Sequence, residues 1–166
     1  MFRKASSSFA GEKMKMELIK SSHSVGESNF HFQFTPAYRR RIFEDKQVAE
    51  LTLAYLLEKM KQLNVVVLAY GFGPDHLHLF VANLRFVSEI EFVRQMKGYS
   101  SFMMRKYHWN LFKRNLWGKK FWSEGHFYRS VGEVNKETMK KYVEESQEKH
   151  WEKSKIVNQR LLDEFY

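Results

Sequence analysis

Apolar and polar positions alternate over Asn29–Thr35 (Asn-Phe-His-Phe-Gln-Phe-Thr), with Phe30, Phe32 and Phe34 on one side and His31 and Gln33 on the other. Period two predicts a half-buried strand, which Pro36 closes. From Asp45 to Leu63 the rhythm changes. Val48, Leu51, Leu53, Ala54, Leu56, Leu57, Met60 and Leu63 recur at helical spacing without Gly or Pro. A valine-dense run, Asn64–Phe72, reads as a second strand and Leu77–Ala82 as a third, so Gly71–Asp75 reads as the hairpin loop between them. Ser88 caps a helix running from Glu89 to about Tyr107, and Glu91 completes a capping box. Phe127–Val131 is a fourth strand, and Asn135 caps a final helix over about Lys136–Trp151. The order is that of an α+β fold: a ferredoxin-like or RRM-like antiparallel sheet (βαββαβ), helices on one face, and an added C-terminal helix. The opposite sheet face is left to hold a site. Residues 1–24, rich in Ser and Lys, read as a poorly structured leader, 25–152 as the domain and 153–166 as a tail. Val157, Leu161, Leu162 and Phe165 equip that tail to dock on its own domain or a partner's.

Composition narrows the chemistry. The 166 residues include no cysteine, which excludes disulfides, thiolate metal sites and cysteine nucleophiles. No apolar run approaches the roughly 18 residues of a membrane helix, and the Ser-rich start lacks a secretory apolar stretch, so a soluble cytoplasmic protein with no membrane partner is expected. Lys and Arg total 28 against 19 Asp and Glu, a net charge of +9. Such a surplus serves solubility as readily as it serves a polyanionic partner. Its placement is more telling. Cations alternate with flat rings in Tyr38-Arg39-Arg40-Arg41, in Arg105-Lys106-Tyr107-His108-Trp109 and from Lys113-Arg114 through Trp117 to Lys119-Lys120. Cations hold phosphates and rings stack on unpaired bases, so this interleaving suits single-stranded or structured nucleic acid.

His76-Leu77-His78 is the most informative stretch. On a strand both imidazoles project to one side while Leu77, Leu79 and Val81 face the helices, leaving the two rings together on the open face. Two neutral imidazoles can bind one divalent ion if a third ligand and water complete the shell. By chance alone such a spacing arises in roughly a quarter of shuffled chains of this composition, so the pair does not decide the matter by itself. Asp75 is either a turn residue after Pro74, the simpler reading, or an acceptor that orients one imidazole. His108, His126 and His150 have no partner at ligand spacing and read as surface or packing residues. Tyr142, between Lys140-Lys141 and Glu144-Glu145, reads either as an amphipathic ring with a wet hydroxyl or as a phenolic nucleophile. A phenol, which ordinarily loses its proton only near pH ~10, needs a metal or a basic neighbour to act at neutral pH.

The motifs taken together resemble a family. Phe32-Gln33-Phe34-Thr35-Pro36-Ala37-Tyr38-Arg39-Arg40-Arg41, Pro74–Leu79, Met96-Lys97-Gly98-Tyr99-Ser100-Ser101, Leu116-Trp117-Gly118, Phe121–Gly125 and Val131–Val134 precede Tyr142 in the order found in the single-tyrosine (HUH) transposases of insertion sequences, the TnpA type. The resemblance spans Ser21 to Trp151. It implies cleavage and rejoining of single-stranded DNA at hairpin-bearing element ends through a 5′-phosphotyrosine. Tyr142 would be the nucleophile, His76 and His78 ligands of Mg²⁺ or Mn²⁺, and the protein a homodimer in which one subunit's tyrosine serves its partner's histidines. Arg39, Arg40, Arg41, Lys97, Arg105, Lys113, Arg114, Lys119 and Lys120 are the nucleic-acid-binding candidates. The family places a glutamine four residues after the tyrosine as third ligand, where this chain has Ser146. Gln147 lies about 140° around the helix from Tyr142. The third ligand is left open between Glu145, Gln147 and water. Two other readings compete: a host-adopted relative that processes chromosomal repeat hairpins, and a hairpin-binding protein without catalysis.

Overall fold

The computed structural model describes residues 19–21, 24–26, 28–116 and 118–131, together with Lys141 and Glu145. A short hairpin of β1 (Ile19–Ser21) and β2 (Ser24–Gly26) opens it, so the expected boundary between leader and domain falls inside paired backbone. β3 (Asn29–Phe34) follows, then α1 (Lys46–Gln62), β4 (Val66–Gly73), β5 (His76–Ala82), α2 (Glu89–Phe112) and β6 (Phe127–Val131). The last four strands form one antiparallel sheet in the order β4-β5-β3-β6. Each strand–helix–strand connection therefore skips one strand, which is the ferredoxin-like arrangement read from the sequence. The final helix over Lys136–Trp151 lies outside the described residues except at Lys141 and Glu145, both helical.

The alternation of β3 and β5 sets the layers. Phe32, Phe34, Leu77, Leu79 and Val81 are fully buried beneath α1 and α2. Val48, Leu56 and Met60 of α1 and Phe92, Met96 and Met104 of α2 meet them in one apolar core. Each helix has a side-chain cap. Asp45 accepts from the backbone N–H groups of Gln47 (2.9 Å) and Val48 (3.3 Å), and Ser88 accepts from that of Glu91 (3.3 Å). Half of the expected capping box forms, because the Glu91 carboxylate turns forward to Arg94 and Gln95. α2 runs one turn beyond its expected end, past a local kink at His108 (φ −130°, ψ 15°) where the imidazole meets the Tyr55 hydroxyl at 2.8 Å.

The β4–β5 connection is tighter than the sequence suggests. The strands pair through Gly71–His78 and Gly73–His76, so the turn contains only Pro74 and Asp75. Gly71 and Gly73 belong to a strand, and Gly73 leaves room for the His76 imidazole.

Candidate metal centre and basic groove

The strand register fixes the site. β5 lies between β4 and β3, and its even positions His76, His78 and Phe80 project away from the helices. On β3, His31 and Gln33 share that face, with His31 opposite Phe80 and Gln33 opposite His78. The histidine rings lie 5.0 Å apart between centroids and are nearly perpendicular (81°). They are not open to solvent as the alternation alone implies: His76 and His78 are 2% and 6% exposed. Gly73 shapes the cradle, since a Cβ there would sit 2.1 Å from Cε1 of His76.

Each ring is held through Nδ1. The Nδ1–H of His76 donates to Asp75 Oδ1 at 2.8 Å, and Asp75 Oδ2 accepts from Arg39 Nε at 3.1 Å. Asp75 is thus both the turn residue and the orienting acceptor. Burial pushes its carboxyl up, but the hydrogen bonds and charges of His76 and Arg39 prevail and hold it below the usual carboxylate range. Arg39 reaches it from a strained backbone, with Tyr38 and Arg39 both left-handed (φ 58° and 52°). Nδ1 of His78 shares a 2.9 Å hydrogen bond with Nε2 of His31. His31 lies flat against Phe80 (centroids 4.4 Å apart, 5° between planes) and meets the Phe127 ring at an angle, 5.8 Å away. Burial, then the charge of Arg129, pushes the His31 imidazole below its ordinary pKa.

With Nδ1 of each ring engaged, Nε2 is the atom by which both would ligate a cation. Two buried imidazoles fit a divalent ion, and nitrogen donors favour Mn²⁺ over Mg²⁺. No third His, Asp or Glu completes a cluster among the described residues. Glu145 is half exposed and pairs with Lys141 at 3.8 Å. Tyr142, Ser146 and Gln147 lie outside the described residues.

The basic candidates divide. Arg105, Lys119, Lys120 and Lys97, with Arg94, Phe102 and Lys106, line a groove of about 740 Å³ between α2 and the loop at 119–124. Arg105 sits over the Trp109 and Phe112 rings at 5.0 and 6.0 Å, and its Nε and Nη2 have no hydrogen-bond partner among the described residues. Lys120 pairs with Glu124. Lys113 and Arg114 are exposed at the end of α2, outside the groove. Lys97 is engaged within the protein. Its ammonium donates to the backbone oxygens of Ser123 (2.9 Å), Glu124 (3.4 Å) and Gly125 (2.8 Å), and burial lowers its pKa to about 8. These bonds tie α2 to the loop, and Lys97 lines the groove from that position. Arg39–Arg41 belong to a different segment, joined to the groove's loop where Ala37 N–H donates to the Phe121 carbonyl at 2.9 Å. Arg41 pairs with Glu44. His108 and His126 pack against Tyr55 and Tyr128 as expected, and His150 lies outside the described residues. Sequence reasoning missed His31, Arg94 and Phe102.

Comparison with known proteins agrees with this architecture. The family described as "Transposase IS200 like" matches residues 24–146, and the chain belongs to it. It is 25% identical over 136 residues to the ISDra2 transposase TnpA of Deinococcus radiodurans, covering 82% of this chain and 96% of that one. It is 27% identical over 112 residues to the transposase for insertion sequence element IS200 of Salmonella typhimurium, covering 67% and 72%. A crystal structure of a Deinococcus radiodurans protein described as a transposase superposes with a TM-score of 0.62 at 23% identity, covering 76% of this chain and 96% of that one. A REP-associated tyrosine transposase bound to a REP hairpin gives 0.50 at 12% identity, covering 70% and 62%. Both structures share the fold. Among the described residues no helix is long and apolar enough to cross a membrane.

Proposed function

We propose that this IS200-like transposase cuts and rejoins single-stranded DNA at hairpin-bearing element ends, with Tyr142 as nucleophile and a 5′-phosphotyrosine as intermediate. The observation that carries the reading is the buried His76–His78 pair, each ring anchored at Nδ1, in a chain of this family. When bound, Mg²⁺ or Mn²⁺ would polarise the scissile phosphate there. Asp75 and Arg39 keep the His76 ring aimed, and the Gly73 position leaves that ring its space. The tyrosine hydroxyl loses its proton as its oxygen bonds to phosphorus, and the 3′ oxygen of the preceding nucleotide leaves. A 3′-hydroxyl reverses the step at a second phosphotyrosine, so the bond energy is conserved without a nucleotide cofactor. The groove's Arg105, Lys119 and Lys120 supply phosphate contacts, and the exposed Phe102 ring a stacking surface.

The insertion-element relatives favour transposition over the processing of chromosomal repeats. The test is incubation with the element's own end oligonucleotides and Mn²⁺, read on a denaturing gel. A protein–DNA adduct on the 5′ side is expected. Tyr142→Phe should remove the adduct while hairpin binding persists; an adduct that survives the change rules out this nucleophile. Mixing Tyr142→Phe with His76→Ala protein reports on the proposed shared-site homodimer, because cleavage returns only if one subunit's tyrosine serves the other's histidines.

A further inference from the structure

We infer that His31 is a positioning residue that accepts the Nδ1 proton of His78 and so keeps that ring in the tautomer able to ligate a cation through Nε2. The inference rests on the metal-binding reading of His76 and His78. A neutral imidazole carries one N–H and one lone pair. If Nε2 of His78 is to bind a cation, its proton must sit on Nδ1 and must donate to something. The atom there is Nε2 of His31, 2.9 Å away, with both side chains buried at 6% exposure. The opposite sense, His31 donating, would place the His78 proton on Nε2 and close that nitrogen to a metal.

His31 is itself locked. It stacks face to face on Phe80, its register partner on β5, and meets Phe127 from β6. A swing about χ1 would break the stack, so the acceptor stays where the His78 proton needs it. The two ligands are thereby oriented by different means. A carboxylate holds His76 from the neighbouring position, and a second imidazole holds His78 from another strand. Partners of metal-bound histidines typically change affinity by about 10–100-fold when removed.

Long-range ¹H–¹⁵N spectra of metal-free, histidine-labelled full-length protein at neutral pH read the tautomer directly. The wild type should show His78 protonated at Nδ1. His31→Phe, which keeps a ring against Phe80 but offers no acceptor, should shift His78 toward the Nε2-protonated form. It should also weaken Mn²⁺ binding, followed by electron paramagnetic resonance, by about 10-fold or more. His31→Gln, which restores an accepting carbonyl, should recover much of both. A wild-type His78 protonated at Nε2, or a His31→Phe protein with unchanged tautomer and Mn²⁺ affinity, overturns the inference. The wild-type spectrum decides even if His31→Phe folds poorly. A tautomer that responds as expected in a protein that never binds Mn²⁺ upholds the His31 contact and sinks the metal reading instead.

Discussion

A single missing side chain makes room for His76. With a Cβ at Gly73 only 2.1 Å from Cε1 of the ring, Gly73→Ala must displace the imidazole. Mn²⁺ affinity should fall about 10-fold or more while far-ultraviolet circular dichroism stays that of the wild type. Asp75→Ala should weaken the metal by a similar factor, and Asp75→Asn less, since its amide oxygen can still accept from Nδ1. The histidine pair and its shared side of β5 were legible in the sequence because period two dictates them. Asp75 was legible as an alternative only, because a turn residue and an orienting acceptor are the same residue here. His31 was not legible as a site residue. Its partner lies 47 positions away, and only the pairing of β3 with β5 brings them together. The glycines misled for a physical reason: Gly marks turns, but also strands approached closely by another group.

The elements were read to within a few residues where capping chemistry is explicit, and less well where tertiary contacts extend them. Asp45 and Ser88 end their helices by side-chain hydrogen bonds, and Asp45→Ala or Ser88→Ala should each lower unfolding free energy by about 1 kcal/mol in denaturant titrations. The C-terminal turn of α2 had no such signal. The Tyr55–His108 hydrogen bond and the buried Phe112 carry it past the point where its periodicity fades. The sequence marks Lys97 only as a nucleic-acid-binding candidate, because it does not show that three carbonyls of a loop some 26–28 residues later converge on it. Its folded pKa of about 8 lies below the ordinary 10.5. The unfolded chain therefore holds the proton more tightly, and this residue adds stability as pH rises from about 8 toward 10.5. In guanidinium titrations across that window, Lys97→Met should flatten the rise relative to the wild type; parallel curves would show that Lys97 is not desolvated in the folded protein.

For the whole molecule, the backbone link between Ala37 and Phe121 puts Arg39, beside Asp75, and the cations of the α2 groove on adjoining segments. A strand of DNA following them would meet positive charge from the groove toward the histidine pair. Affinity for a hairpin oligonucleotide should fall steeply with added salt, and Lys119→Ala should reduce the log–log slope by about 1. Lys113→Ala, outside the groove, should change it less. A slope equal in the two variants would deny the groove any special part in binding.

The strand that carries both imidazoles is hydrogen-bonded along both of its edges, by β4 on one side and β3 on the other. Its amides should be among the last in the chain to take up deuterium, exchanging only when the domain opens globally. The geometry of the ligand pair would then persist while peripheral segments fray, and on heating it would be lost together with the sheet in one cooperative event.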